Sequence, residues 1–373
     1  MPVITSTMQI SAFMMVKTMN NSILLNPDTK SKIDIKILDA ASRAMGENSW
    51  RALRADLKVF SEWAHHANLA TLPADPGTVA RFIREQAEAG KKAATLARYK
   101  SSIARAHAFA NLEDPTRSEL VQLELKAQRR ALGIRQRQAR GLRFRGEVAD
   151  PLAAQALAET GPMGVCVEAM LAAAPPNLQG VRDKALLSLA FDTGLRRSEI
   201  VATRWNHVEK GNAGAGRLFI PRSKNDQEGA GNYAFLSSRT MAALAGWREA
   251  SEKNEGAIYR RLHRSRDSVG GDTWTVGAGL SAQSVTLIYR SMLDAAYKAG
   301  MLGEISHADY EHWRQSLTAH STRVGLTQDL FAAGQDLAGI MQALRWKSPA
   351  QPARYAQALA VEANAAAKVV GKL

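Results

Sequence analysis

A stretch dense in arginine divides this chain into two regions of different character. It reads AQRRALGIRQRQARGLRFRG, from Ala127 to Gly146, and holds seven arginines and no acidic residue. Like charges at this density repel one another, so such a run is typical of a solvated linker or of a segment that lies along a polyanion. We interpret residues 134–150 as a basic linker between two folded domains and residues 1–30 as a loosely ordered tail.

The region before the linker has four helical patterns in its sequence. The segment from Trp50 to Trp63 has one apolar stripe, with a cap at Asn48 or Ser49. Asp75, followed by a proline at the first helical position, predicts the start of the next helix. Two more amphipathic stretches follow. The sequence therefore predicts an all-helical domain over residues 31–133.

Residues 151–373 combine helices with a small sheet. Val181–Gly194 has a mostly apolar middle, from Ala185 to Phe191, and predicts a buried helix. Leu218–Pro221 and Tyr233–Leu236 predict short strands joined by a polar, glycine-containing loop. Glu255–Val285 is expected to be rich in loops. The predicted fold is mainly α, with an all-helical N-terminal domain and a mostly helical C-terminal domain that contains a small antiparallel β-sheet.

The charge balance indicates a polyanionic partner. The chain has 49 Lys and Arg against 35 Asp and Glu, a formal net charge of +14. A protein this basic usually binds nucleic acid, because displaced counterions favour phosphate contacts; basicity that only aids solubility is the alternative. The single cysteine, Cys166, excludes a disulfide framework and fits a reducing compartment. No apolar run reaches the roughly 20 residues that cross a membrane.

Two motifs of the second domain pair an arginine with a residue that can orient it or carry a proton. In DTGLRRSEIVATRW, Arg196 and Glu199 are three apart, so on a helix the acid can orient the guanidinium. In LTAHSTRVGLTQDL, His320 and Arg323 share one face where a helix with a serine or threonine cap is expected to begin. Taken alone, each pair also fits an ordinary surface contact.

Three further positions complete the set. Lys224 lies on the loop between the two predicted strands, where a flexible lysine reaches into a site or points to water. Trp346 follows an apolar helical pattern, and Tyr355 ends LRWKSPAQPARY, whose two prolines predict a helix that starts late. No phosphate-binding Gly-Lys-Ser/Thr loop or cluster of acids for a two-metal site is present. His307–His312, HADYEH, fits no zinc spacing, and we interpret it as a polar loop.

In order and spacing, these motifs resemble the signature of the tyrosine recombinase, or phage integrase, family. TGLRRSEI resembles the first arginine box of the family, AHSTRVG its His-x-x-Arg box, and LRWKSPAQPARY the segment that ends in the nucleophile. The resemblance begins near Ser49 and is specific only in the second domain. It implies a set of catalytic residues, namely Arg196, Glu199, Lys224, His320, Arg323, Trp346 and Tyr355.

The resemblance implies a site-specific recombinase that cuts and rejoins DNA. Tyr355 would attack a phosphodiester and form a 3'-phosphotyrosyl link, and exchange would pass through a Holliday junction. The link conserves bond energy, so we expect no ATP, metal or other cofactor. The same chemistry would also serve an integrase, a transposase or a telomere resolvase. The alternative of another class is a non-catalytic DNA-binding regulator with this fold.

The resemblance also implies the partners. They are a double-stranded DNA target with inverted half-sites and further copies of the chain, as a dimer on one site and a homotetramer on two. We expect a cytoplasmic location, with the bacterial nucleoid or with plasmid or phage DNA. The expected DNA-contacting side chains lie on the third N-terminal helix, where a solvated polar face is the alternative, and in the linker: Thr95, Arg98, Ser101, Arg135, Arg137 and Arg140.

Overall fold

The computed structural model describes most of the 373-residue chain. The described ranges are 35–133, 139–146, 164–222, 230–266 and 272–355. The chain divides into two compact units, Met1–Arg137 and Gln138–Leu373. The described residues are mostly helical with two small antiparallel sheets, which confirms the predicted fold class. No helix among them is both long and apolar enough to cross a membrane.

In the described part of the first unit, the secondary-structure elements are helices joined by turns and loops. A 3-10 turn lies between its last two helices, at Pro115–Arg117. The α-helices are α1 (Ile35–Ala44), α2 (Glu47–His66), α3 (Pro76–Glu88), α4 (Ala93–Phe109) and α5 (Glu119–Leu132).

The helix starts of the first unit show where local sequence is informative. Asp75 caps α3 as predicted, since its carboxylate accepts the backbone N–H of Gly77 at 2.7 Å. The predicted cap of α2 is wrong. The helix begins earlier, after an extended Gly46, and Asn48 lies inside it, where its side-chain oxygen accepts a hydrogen bond from Arg51 instead.

The second unit is mostly helical and contains both sheets. A 3-10 turn at Trp205–His207 precedes the first strand. The helices are α6 (Val167–Ala172), α7 (Leu178–Thr193), α8 (Arg197–Ala202), α9 (Ser238–Ser251), α10 (Ala282–Lys298), α11 (His307–Ser316), α12 (Ser321–Ala332), α13 (Leu337–Leu344) and α14 (Ala350–Tyr355). The strands are β1 (Val208–Lys210), β2 (Gly216–Ile220), β3 (Asn232–Leu236), β4 (Arg260–Arg266) and β5 (Asp272–Gly279).

The three-stranded sheet confirms the two predicted strands and adds a short one. β2 lies between β1 and β3 and is antiparallel to both, with Leu218 opposite Val208 and Ala234. Alternate side chains of β2 enter the core, so Leu218 and Ile220 are buried while Arg217 is exposed. β1 has only three residues, too few for an alternating pattern to be recognised.

A second hairpin replaces the loop-rich segment expected between Glu255 and Val285. β4 pairs with β5, and Leu262 lies opposite Val276. Most side chains of β4 are exposed and charged or polar. The strand therefore lacks the alternation of apolar and polar residues by which half-buried strands are recognised.

Helix α7 crosses the core of the second unit and ends beside α13. Ala185, Leu186 and Leu187 are consecutive and fully buried, in agreement with the predicted buried helix. Gly194 ends α7 with a left-handed φ of 54°. A Cβ at Gly194 would lie 2.6 Å from a methyl group of Leu344, so the absence of a side chain allows the close approach of α7 and α13.

Part of the predicted linker packs on the second unit instead of lying in solvent. Leu142 is fully buried, and its backbone N–H donates to the carbonyl of Ser321 at 2.9 Å. Arg143 pairs with Asp329, whose other carboxylate oxygen accepts the N–H of Phe144 at 2.8 Å. The acid that neutralises the arginine comes from α12, far along the chain, which is why the run looked unpaired in sequence. Residues 134–138 and 147–150 lie outside the described ranges.

Candidate active site

The start of helix α12 carries His320 and Arg323, as the sequence indicates. His320 itself occupies the N-cap position. The expected cap, Ser321 or Thr322, is wrong because both side chains are fully buried in the first turn. The hydroxyl of Ser321 accepts the N–H of Thr318 at 3.1 Å, so it braces the turn before the helix.

Arg323 is buried and held by two backbone carbonyls. Nη1 donates to the oxygen of Gly194 and Nη2 to the oxygen of Leu344, each at 2.6 Å. Burial lowers the pKa of Arg323 to about 9, with Arg196 and Arg345 acting in the same direction, so the guanidinium stays charged at neutral pH. Its Nε–H has no partner among the described residues. The side chain is therefore rigidly placed and keeps unused donors.

Arg196 lies at the N-cap of α8, next to the end of α7, and Glu199 holds it. One carboxylate oxygen of Glu199 accepts Nη1 of Arg196 at 2.8 Å, and the other accepts the backbone N–H of Arg196 at 2.9 Å. The neighbouring Arg197 is exposed. These contacts favour Arg196 over Arg197 as the arginine of the site.

Tyr355 and His320 form a direct contact. The phenol oxygen of Tyr355, at the end of the described part of α14, lies 2.8 Å from Nε2 of His320. Burial, together with the charges of Arg323 and Arg196, lowers the pKa of His320 to about 4. Burial raises the pKa of Tyr355, while Arg323, Arg354 and Arg196 oppose that rise. At neutral pH the pair is a protonated phenol beside a neutral imidazole, which can accept its proton.

Trp346 completes the group of side chains. Its ring lies edge-on to Tyr355, with centroids 5.7 Å apart, and the guanidinium carbon of Arg323 is 4.2 Å from its ring centroid. The buried indole N–H of Trp346 has no hydrogen-bond partner among the described residues, like Nε of Arg323. A buried donor without an acceptor costs about 1–3 kcal/mol. These two donors lie on touching side chains, so one acceptor bound at the site would satisfy both.

The structure shows protein partners for two of the expected DNA-contacting arginines. Arg98 pairs with the buried Asp56 at 2.8 Å, although its own side chain is 56% exposed. Arg140 lies 3.9 Å above the ring of Trp313 as part of the packed 139–146 segment. Each arginine thus meets a group of its own unit, and its contact with DNA stays a prediction.

The structure also describes two other expected DNA contacts, Thr95 and Ser101, both on α4. Thr95 is half-buried, and the exposed Ser101 donates to the carbonyl of Ala97 at 3.0 Å. Three of the predicted residues lie outside the described ranges: Lys224, Arg135 and Arg137.

The HADYEH segment is helical, which corrects the expected polar loop. It forms the start of α11. Its Tyr310 donates to Asp294 at 2.7 Å and stacks on Tyr297, with ring centroids 3.9 Å apart. In the part of the chain that the structure describes, no three His, Cys, Asp or Glu side chains are grouped to hold a metal ion.

One residue beside the site was not singled out in the sequence. Arg345 directly precedes Trp346, and its Nη2 donates to the carbonyl of Thr193 at 2.9 Å. A residue that follows a helix in the left-handed conformation is usually glycine. An arginine at this position therefore carries no sequence signal.

The chain is similar to known proteins over most of its length. The profile of the phage integrase family matches residues 166–361, more than half of the chain. The profile of the phage integrase N-terminal SAM-like domain matches residues 40–114. The chain is 24% identical over 341 residues to the "Integrase/recombinase xerD homolog" of Selenomonas ruminantium, covering 88% of this chain and 86% of the relative. It is 23% identical over 310 residues to "Recombinase cre" of Escherichia phage P1, covering 82% of each.

A solved structure shares the fold. The crystal structure of XerH site-specific recombinase bound to palindromic difH substrate, in its post-cleavage complex, superposes with a TM-score of 0.51 at 16% identity. The match covers 95% of this chain and 94% of that one. Both regions on either side of the arginine-rich stretch thus have counterparts in one known fold.

Proposed function

Because the chain belongs to the phage integrase family of tyrosine recombinases, we propose that it cuts and rejoins DNA at specific sites with Tyr355 as the nucleophile. The observation that carries this assignment is the 2.8 Å contact between the Tyr355 phenol and a neutral His320, beside the buried Arg323. A tyrosine with a structural role needs a hydrogen-bond partner but no guanidinium groups around it. A tyrosine that attacks a phosphodiester needs a partner that accepts its proton and guanidinium groups that bind the phosphate.

The nucleophile is activated by removal of its proton. Ionising a free tyrosine at pH 7 costs roughly 4 kcal/mol, because its ordinary pKa is near 10. Burial makes ionisation of Tyr355 harder, and the nearby arginines make it easier. His320 accepts the phenol proton as the oxygen attacks, so a free phenolate never has to accumulate.

Three side chains supply the hydrogen-bond donors that stabilise the pentacoordinate phosphorus of the transition state. Arg323 is fixed by two carbonyls, and Arg196 is fixed by Glu199, so neither reorganises when negative charge develops. An arginine has five N–H donors, so both retain donors for the non-bridging oxygens. The unpartnered indole N–H of Trp346 supplies a further contact.

The leaving 5'-oxygen needs a proton as its bond to phosphorus breaks, and we assign this step to Lys224. The bond from the Tyr355 oxygen to phosphorus forms as the bond to the 5'-oxygen breaks. His320 holds the phenol proton, and Lys224 gives one to the 5'-oxygen. Attack by the 5'-hydroxyl of another strand reverses these steps and releases Tyr355. No ATP, metal or other cofactor enters this balance.

The proposed target is double-stranded DNA with inverted half-sites. A dimer would occupy one site and a homotetramer two, with exchange through a Holliday junction. The net charge of +14 supports a DNA partner, and XerH is a relative of the same fold bound to a palindromic substrate. Integration, transposition and telomere resolution use the same chemistry. A cytoplasmic location, with the nucleoid or with plasmid or phage DNA, follows from the same proposal.

A nicked half-site that traps the covalent complex tests the function. Inverted repeats around a short spacer in the DNA that flanks the gene supply the candidate site. We expect the wild type to form a protein–DNA adduct that resists denaturation, and Tyr355→Phe to bind the same DNA without forming it. Binding by the wild type with no adduct would instead identify a non-catalytic DNA-binding regulator.

A further inference from the structure

Arg345 has a backbone conformation that its side chain makes costly. It follows α13 with φ 55° and ψ 46°, in the left-handed region that favours glycine. Such a conformation persists in a residue with a Cβ when the surrounding structure holds it in place. Contacts of the Arg345 side chain must therefore offset the cost of this conformation.

The side chain of Arg345 reaches from the end of α13 to the end of α7. Its Nη2 donates to the carbonyl of Thr193, the last residue of α7, at 2.9 Å. Arg323 joins the same two segments through the carbonyls of Gly194 and Leu344. Two guanidinium groups thus hold the carbonyl end of α7, where the helix dipole favours positive charge.

These bonds connect the two chain segments that carry Arg196 and Trp346. Arg196 follows Thr193 by three residues, and Trp346 is bonded directly to Arg345. The backbone N–H of Trp346 also donates to the carbonyl of Met341 at 2.8 Å, which fixes the backbone of Trp346 on α13. The direction of the Trp346 ring therefore depends on how α13 is docked against α7.

The charge of Arg345 is also felt at the site. Burial lowers the pKa of Arg345, Glu199 raises it and Arg196 lowers it, so these groups are close enough to interact. Arg345 in turn lowers the pKa of Arg323.

We propose that Arg345 is a positioning residue for strand cleavage, which holds Trp346 at the reacting phosphate by joining the end of α13 to the end of α7. The inference rests on the proposed function. It assigns Arg345 no contact with the DNA: Arg345 acts through Trp346.

Arg345→Gly tests the positioning role, because a loss of activity in this variant is not expected to come from misfolding. The substitution removes the side chain and the backbone strain together, so the protein is expected to fold. Glu252→Gly is the matched control, because Glu252 follows α9 with the same φ of 55° and is exposed. We expect both variants to melt at or above the wild-type temperature and to bind the half-site with nearly unchanged affinity.

The cleavage rate should separate the two variants. At saturating protein, adduct formation by Arg345→Gly should be about 10- to 100-fold slower than by wild type, since small misplacements have effects of this size. Arg345→Lys keeps the charge but not the fork of donors, so its rate of adduct formation should lie between those of Arg345→Gly and wild type. In a Trp346→Ala background, Arg345→Gly should slow cleavage by less than about twofold, because coupled residues are not additive.

Two results would overturn the inference alone: wild-type cleavage by Arg345→Gly, or an equal slowing with and without Trp346. A wild-type protein that forms no adduct would overturn the proposed function, and this inference with it.

Discussion

Nε2 of His320 lies 2.8 Å from the phenol oxygen of Tyr355, across 35 residues of sequence. Helix α12 places the imidazole and helix α14 places the phenol. Because burial lowers the pKa of His320 to about 4, the pair is neutral at physiological pH. It is therefore a proton donor facing an acceptor, and the charge beside it comes from Arg323 and Arg196.

The buried neutral His320 should make folding stability depend on pH. Its pKa is about 4 in the folded protein and near 6.5 when unfolded. The unfolded chain takes up the proton first, so stability falls as the pH drops from 6.5 towards 4. In urea titrations, the stability lost between pH 7 and pH 5 should be about 2 kcal/mol smaller in His320→Gln than in wild type. Equal losses would contradict a buried neutral histidine.

Glu199 should matter through Arg196. Glu199→Gln keeps the shape of the side chain but removes the charge that anchors the guanidinium. We expect single-turnover cleavage to slow by about 10- to 100-fold, less than the complete loss in Tyr355→Phe. Glu209→Gln is the control, because Glu209 pairs with Arg217 at 2.6 Å on the solvent-exposed face of the three-stranded sheet. An unchanged rate in Glu199→Gln would show that Arg196 needs no anchor.

Gly325 should be intolerant of a side chain because the 139–146 segment lies against it. A Cβ at Gly325 would lie 1.8 Å from the carbonyl oxygen of Leu142. Gly325→Ala should lower the free energy of unfolding by about 1–3 kcal/mol. Gly246 has open space around its Cβ position inside α9, so Gly246→Ala should raise stability by roughly 0.5–1 kcal/mol. Equal effects at the two glycines, measured by urea unfolding, would show that the segment is not packed there.

Lys224 can be tested as the general acid by changing the leaving group. A 5'-sulfur leaves without a proton, since thiols have a pKa near 8.5. Lys224→Ala should cleave the ordinary nicked substrate about 100- to 10,000-fold slower than wild type. With sulfur at the scissile 5' position, the variant should approach the wild-type rate, whereas Tyr355→Phe should stay inactive. A deficit that persists on the sulfur substrate would rule out Lys224 as the acid.

Features set by neighbouring residues were predictable from the sequence. The Asp75 cap, the buried run of α7, the strands around Leu218 and Ala234, and the helix that begins between His320 and Arg323 all depend on local pattern. The order of the motifs then allowed the family to be recognised, although each motif alone fitted a surface pair.

Features set by distant partners were not predictable. Asp329 lies far along the chain from Arg143, so nothing near the arginine-rich run revealed that part of it is packed. The pairing of Arg98 with Asp56 joins two helices, so no local pattern could predict it. The docking of Arg323 on Gly194 and Leu344 and the left-handed Arg345 likewise depend on how α7 meets α13.

In the proposed reaction, Tyr355 becomes covalently joined to DNA. Wild-type protein trapped on a nicked half-site can be digested with protease and nuclease, and the nucleotide-bearing peptide identified by mass spectrometry. We predict a single modified residue, Tyr355, attached through a 3'-phosphate, and no such peptide from Tyr355→Phe. A nucleotide on any other residue, or an adduct of normal yield in Tyr355→Phe, would contradict the assignment.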